Sequence, residues 1–238
     1  MKSTRSTSTL LINEIGVFMK TAVITGANRG IGLALAQQLS EKGWDIIAIC
    51  RSETPEIEEI ASMVISGIDI TDPEQLKQVK TIIGEQQIDL LINNAGLLAD
   101  EQLGSINYDS IREQFEINAL APLQVTESLL PNMVEGSKIA NITSRMGSIA
   151  DNDSGGRYGY RASKAALNAF GKSLAEDLKT RGIAVAMLHP GWVQTRMVNF
   201  SGLISTQESA SGLIERIDQL SLANTGGFWH TNGETLPW

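Results

Sequence analysis

Residues 21–43 read TAVITGANRGIGLALAQQLSEKG, and this stretch changes character twice. It opens on a short apolar run, passes Gly26, Gly30 and Gly32, and continues with helical periodicity. An apolar run that does not alternate reads as a strand covered on both faces, as in a parallel sheet. Glycines between strand and helix permit a tight turn, close backbone approach to a pyrophosphate, and close packing of the helix. The helix N-terminus then faces the phosphates. The spacing here is G-x-x-x-G-x-G, not the commoner G-x-G-x-x-G, and a glycine turn can also serve plain geometry.

The same change of period recurs along the chain. DIIAI, SMVIS, DLLIN, KIANIT and IAVAML are further apolar runs, separated by helical stretches such as PEQLKQVKTIIGE with Pro73 in its first turn. Strand and helix in alternation predict an α/β fold with a doubly wound parallel sheet of about seven strands and helices on both faces. Six prolines and no low-complexity tract favour one domain over residues 19–238. Residues 1–18 are basic and Ser/Thr-rich. Their apolar run breaks at Asn13 and Glu14 with no cleavage site after it, so they read as a disordered extension.

Composition narrows the partners. The chain has 238 residues, 42% hydrophobic, with a formal charge of −8, which argues against nucleic-acid or anionic-membrane partners. Cys50 is the only cysteine, so no internal disulfide forms and a reducing, cytoplasmic compartment fits. His189 and His230 are far apart along the chain, and no metal site is expected.

In such a sheet ligands sit beyond the carboxyl ends of the strands. The second strand ends at Arg51 and Ser52, where a carboxylate would suit the ribose of NAD and an arginine the 2′-phosphate of NADP. Arg29 adds a second cation, Glu53 comes slightly late for the carboxylate role, and a merely solvated arginine is the alternative. Asp69 and Ile70 would flank an adenine, and Asn93 and Gly96 would brace a ribose.

Residues 160–164 read YRASK, which places Tyr160 and Lys164 one helical turn apart on one face. TGANRGIG, NNAG and YRASK together resemble the short-chain dehydrogenase/reductase family. YGYRASKAALN and the ending GGFWHTNGETLPW resemble its C-factor and sniffer-like carbonyl reductase branch. The resemblance implies a Rossmann-type NAD(P)-dependent oxidoreductase, a homodimer or homotetramer, acting on a small carbonyl or alcohol. It implies catalytic Asn118, Ser144, Tyr160 and Lys164. It further implies NADP(H) contacts at Asn28, Ile31 and Ala95 beside the residues above, at Tyr160 and Lys164, and at Pro190, Gly191, Val193 and Thr195.

Reducing a carbonyl needs a hydride on carbon and a proton on oxygen. A free tyrosine titrates near pH 10, and an ammonium alongside lowers that by roughly 1–3 units. Lys164 would thus tune Tyr160, whereas Tyr158 has Ala162 four residues on and reads as a pocket wall. Ser144 ends a strand and would hydrogen-bond the substrate oxygen, with Ser148 a lesser candidate. The long spacing from Ser144 to Tyr160 predicts a flexible loop. Asn118 lies on the apolar face of Ile111, Phe115, Pro122 and Leu129, and Pro122 would free its carbonyl to hold a relay water. A simple proline kink is the alternative. Residues 196–208 would form a substrate lid, with Trp192 and Leu97 as pocket walls or ordinary packing. A nucleotide-binding regulator of C-factor type with little turnover is the second functional class. It would need only the cofactor half of these residues.

Overall fold

The computed structural model describes residues 19–238; the extension expected over residues 1–18 lies outside the described residues. The chain alternates as β1 (Thr21–Thr25), α1 (Gly30–Glu41), β2 (Asp45–Ile49), α2 (Pro55–Ile60), β3 (Met63–Ile65), α3 (Pro73–Ile83) and β4 (Ile88–Asn93). It continues as α4 (Tyr108–Phe115), α5 (Ala121–Leu129), β5 (Met133–Ile142), α6 (Tyr158–Asp177), β6 (Ala184–His189), α7 (Thr206–Gln219) and β7 (Gly227–His230). The sheet has seven strands in the order β3-β2-β1-β4-β5-β6-β7, and every pair is parallel. The order reverses between β1 and β4, the switch point outside whose strand ends sheets of this kind bind ligands.

Near-continuous apolar strands are covered on both faces, and the two cores divide along the pleat. Val23, Ile47, Leu91, Ile139 and Val185 pack with Val79, Val125 and Leu129 from α3 and α5. Their neighbours Ile24, Ile46, Leu90 and Ala186 pack with Leu35, Leu39, Leu213 and Ile214 from α1 and α7. α3 begins where Pro73 follows an Asp72 cap whose side chain accepts the Glu74 amide.

The stretch whose apolar residues fall at helical spacing is divided into α4, a π-helical segment over Glu116–Leu120, and α5. Pro122 has no amide to continue the α-helical ladder. The Ala121 amide reaches Glu116 one residue further back, and α5 starts with the proline in its first turn. The buried face also differs: Gln114 is 0% exposed, while Phe115 is only half-buried.

β7 closes the sheet edge. Phe228 is 1% exposed and stacks on Trp238 with ring centroids 5.4 Å apart. Phe228→Ala is expected to lower unfolding free energy by about 3–5 kcal/mol through the cavity it leaves. Urea unfolding of the two proteins measures it.

Candidate active site

The glycine turn is built as a cradle. Gly26 and Gly30 have φ of 67° and 57°, the left-handed region that glycine enters freely. A Cβ on Gly32 would lie 2.3 Å from the Gly26 oxygen and 2.6 Å from Asn94 Nδ2, so only glycine fits. Asn94 clasps the turn, donating to the carbonyls of Thr25 (3.0 Å) and Gly26 (3.2 Å), while its amide donates to Thr25 Oγ1 (3.0 Å). The Ala95 amide donates to the same hydroxyl at 3.1 Å. Arg29 caps no amide of α1 with its side chain, and the helix has no acidic residue in its first turn. Orphan amides at an uncapped helix start, beside glycines that bare the backbone, are a donor set suited to a pyrophosphate.

Asn93, expected to brace a ribose, has its side chain engaged inside the protein. Its side chain donates to Thr126 Oγ1 (3.1 Å) and Asn141 Oδ1 (2.8 Å) in the buried layer toward α5. Successive residues at a strand end point to opposite faces, so Asn94, missed in the sequence, faces the glycine turn instead. Asn28 links strand ends by donating to the Ser52 carbonyl at 2.8 Å. Arg51 is exposed at the end of β2. The Asp69 carboxylate is held low chiefly by hydrogen bonds from the Thr71 amide and hydroxyl, with help from Arg51. Ile70 is buried close by.

Ser144, Tyr160 and Lys164 come together where β5 ends against α6. Gly147 makes this possible: a Cβ there would lie 2.7 Å from the Lys164 backbone. Ser144 accepts the Met146 amide at 3.1 Å, which fixes its hydroxyl at the strand end. Lys164 is 4% exposed, donates to the Ile142 carbonyl at 2.9 Å, and lies 5.9 Å from the Tyr160 ring centroid.

The charge balance corrects the simple expectation that Lys164 lowers the Tyr160 pKa. Burial pushes the phenol above its ordinary value, and the Ser144 hydroxyl and the Arg157 guanidinium act against that. Burial likewise lowers Lys164 to about 8. Desolvation penalises the charged form of each group and is the largest cause of both shifts. The phenol is therefore protonated at neutral pH.

Asn118, 0% exposed, bonds to two segments through its side chain. Oδ1 accepts the Leu97 amide at 2.7 Å, while Nδ2 donates to the Leu97 carbonyl (2.7 Å) and to Ser163 Oγ (3.0 Å). Ser163 passes the connection on by donating to the Tyr160 carbonyl at 2.8 Å. Gly96 leaves room for this junction, since its Cβ would lie 3.1 Å from Asn118 Oδ1 and 3.7 Å from Lys164 Nζ.

The first part of the loop after Ser144 is bonded to Trp238. The Ile149 and Ala150 amides and the Ser148 hydroxyl all donate to the Trp238 carbonyl, at 3.0, 2.9 and 3.0 Å. Arg145 bridges Asp151 (2.8 Å) and Glu234 (2.6 Å). Ser148 is thereby a strut. His189 and His230 sit side by side in β6 and β7, ring centroids 4.8 Å apart, and burial holds His189 at about 3.

Pro190 accepts the Ser209 hydroxyl at 2.7 Å, and Val193 is buried and bridges to Ile204. Gly191 has φ 85°, and a Cβ on Gly30 would lie 3.7 Å from Thr195 Cγ2. The loop after β6 thus returns to the glycine turn. Trp192 and Tyr158 are exposed, and Leu97 is half-buried.

Residues 20–203 match the family model for short chain dehydrogenases. The chain is 38% identical to 1-hydroxy-2-glutathionyl-2-methyl-3-butene dehydrogenase of Rhodococcus sp. (strain AD45), over 92% of this chain and 100% of that one. It is 42% identical to the C-signal protein of Myxococcus xanthus, over 63% of this chain and 93% of that one. Among solved structures it is similar to the NADPH-bound carbonyl reductase from chicken fatty liver (TM-score 0.85, 28% identity, 93% of this chain and 100% of that one). The carbonyl reductase Sniffer of D. melanogaster is similar too (TM-score 0.83, 28% identity, 93% and 100%). The chain belongs to the short-chain dehydrogenase/reductase family.

Lys164 gives a pH test. Its folded pKa of about 8 lies below the ordinary lysine value of 10.5. Between these values the unfolded chain holds the proton and the folded protein does not, so stability rises with pH across that window. Below pH 8 the buried ammonium is a constant cost. Lys164→Met should therefore flatten the rise in urea-unfolding free energy between pH 8 and 10.5.

Proposed function

We propose that this short-chain dehydrogenase/reductase is an NADP(H)-dependent carbonyl reductase, with Tyr160 as the acid in reduction and the base in oxidation. The observation that carries it is the meeting of Ser144, Tyr160 and Lys164 at one strand end, facing the glycine cradle across Gly96. Bound at that cradle, a nicotinamide cofactor would supply or take up the hydride at the substrate carbon.

The chain's residues supply the rest. The Ser144 hydroxyl holds the carbonyl oxygen and stabilises the charge that develops on it. The Tyr160 hydroxyl gives its proton to that same oxygen. Lys164 then sits beside a phenolate, where its ammonium is favourable in a way it is not beside a neutral phenol. Asn118 keeps Leu97 and α6 in register, and its backbone carbonyl is the place for a relay water next to Pro122. Arg51 and Arg29 would hold the 2′-phosphate, and residues 196–208 would close over the substrate. NADPH and NADP in similar structures support this cofactor: the chicken enzyme contains the former, and a 31% identical Burkholderia multivorans protein the latter. The likeness to C-signal supports a signalling role as the second reading, but such a role leaves the buried Lys164 beside Tyr160 without a purpose.

Tyr160→Phe should reduce turnover by at least about 10²-fold, since only the transferable proton is lost. NADPH binding, followed by its fluorescence, should be retained. Equal turnover in the variant would remove Tyr160 from the chemistry. For the cofactor, a charge-assisted guanidinium–phosphate contact contributes about 1.5–3 kcal/mol, or roughly tenfold to a hundredfold in affinity. NADPH should bind at least about tenfold tighter than NADH, and Arg51→Asp should reverse the order. Equal dissociation constants in the parent protein would refute the choice.

A further inference from the structure

α6 carries Tyr160 in its first turn, yet its own approach does little to secure that turn. Gly155 and Gly156 precede it, and Arg157 at the N-cap is left-handed (φ 49°) with no side-chain cap. The groups that secure it come from the loop after β4. Glu101 is only 2% exposed. Its Oε2 accepts the Gly159 amide at 3.1 Å, and its backbone carbonyl accepts the Arg157 amide at 2.9 Å. Its Oε1 accepts from Ser110 Oγ (3.0 Å) and Gln114 Nε2 (2.5 Å). Gln114, itself 0% exposed, accepts the Ala99 amide at 3.0 Å. Nothing in this cluster has slack: a Cβ on Gly159 would lie 2.6 Å from Gln114 Nε2.

A carboxylate suits the place for two reasons. The start of a helix presents orphan amides and the positive end of the helix dipole. A buried carboxylate also needs donors on both oxygens, and Gly159, Ser110 and Gln114 provide them. The second hold on the same turn is the relay from Leu97 through Asn118 and Ser163 to the Tyr160 carbonyl. Tyr160 thus stands between two fastenings, and both originate in residues 97–101.

We propose that Glu101 is a positioning residue for the reaction, capping α6 from outside so that the Tyr160 hydroxyl stays in register with Ser144. It touches neither substrate nor cofactor. The inference rests on the reading of Tyr160 as the acid.

Glu101→Gln is nearly isosteric but turns one acceptor into a donor, so at least one of the three bonds is lost. Turnover of the NADPH-linked reduction should fall at least about tenfold, because small misplacements of a reacting group have large effects on rate. The KM and dissociation constant for NADPH should stay within about twofold, a pattern that separates positioning from binding. Amides of residues 157–164 should exchange hydrogen faster while those of α1 do not, which reports local fraying without reference to activity. Ser110→Ala, which removes one donor from the half-buried side, should do the same more weakly; it carries the test if the Gln variant does not fold. A lowered melting temperature with turnover and local exchange unchanged, in whichever variant folds, would overturn the proposal. If the parent protein reduces no carbonyl with NADPH and Tyr160→Phe changes nothing, the reading of Tyr160 fails instead. The exchange measurement would still decide whether Glu101 caps α6.

Discussion

A carboxamide with no exposed surface must find partners for both its oxygen and its nitrogen, and Asn118 finds them on the two segments that the site has to hold together. Its exchange of hydrogen bonds with both backbone groups of Leu97 imitates a strand pair and holds the chain leaving β4. Its third bond, to Ser163, ties that chain to the helix bearing Tyr160. The π-helical segment around it has a local cause in Pro122. A proline four residues on leaves no amide for an α-helical bond, and the backbone widens where Asn118 sits. A leucine at position 118 would fill the same space and connect nothing.

The electrostatics follow from that burial. Tyr160 and Lys164 are both enclosed, and each is held toward its neutral form, the phenol by a raised pKa and the amine by one near 8. Enclosure alone would leave the pair inert. What changes the balance is a negative charge appearing on the phenol, because the same low-dielectric surroundings then strengthen its attraction to the ammonium. Each group ionises more readily once the other is charged, and a surface pair of the same residues would be screened and show little of this coupling.

Legibility in the sequence depended on how local the physics was. Unbroken apolar runs gave away the covered strands, glycine the cradle, and four-residue spacing the Tyr160–Lys164 pair, because each signal is complete within a few residues. Asn118 was legible for a related reason, as a polar residue on an apolar helical face with a proline following. The residues that escaped notice take their meaning from distant partners. Asn94 matters because Thr25 and Gly26 lie beside it in the folded sheet, and Glu101 because Gly159 does. Asn93 and Asn94 look equivalent in NNAG, and only the pleat decides which one faces the cradle. The pairing of His189 with His230 required the order of β6 and β7, which no local pattern contains.

The loops around the site are not held equally. Those after β4 and β5 are fixed through buried or paired groups: Asn118, Glu101, and the Arg145 bridge to Asp151 and Glu234. The segment after β6 is fixed only at its base. There the Leu203 and Ile204 amides donate to the Trp192 carbonyl, and Gln194 donates back to Ile204. Beyond that base Trp192, Met197, Phe200 and Leu203 stand exposed, and Asn199 and Phe200 both adopt left-handed backbone conformations that side chains disfavour. Exposed apolar groups on a closed but lightly anchored loop can be exchanged without reaching the connections that hold Tyr160. Substitutions can therefore accumulate after β6, while Tyr160 and its supports, each bonded to partners on other elements, tolerate little.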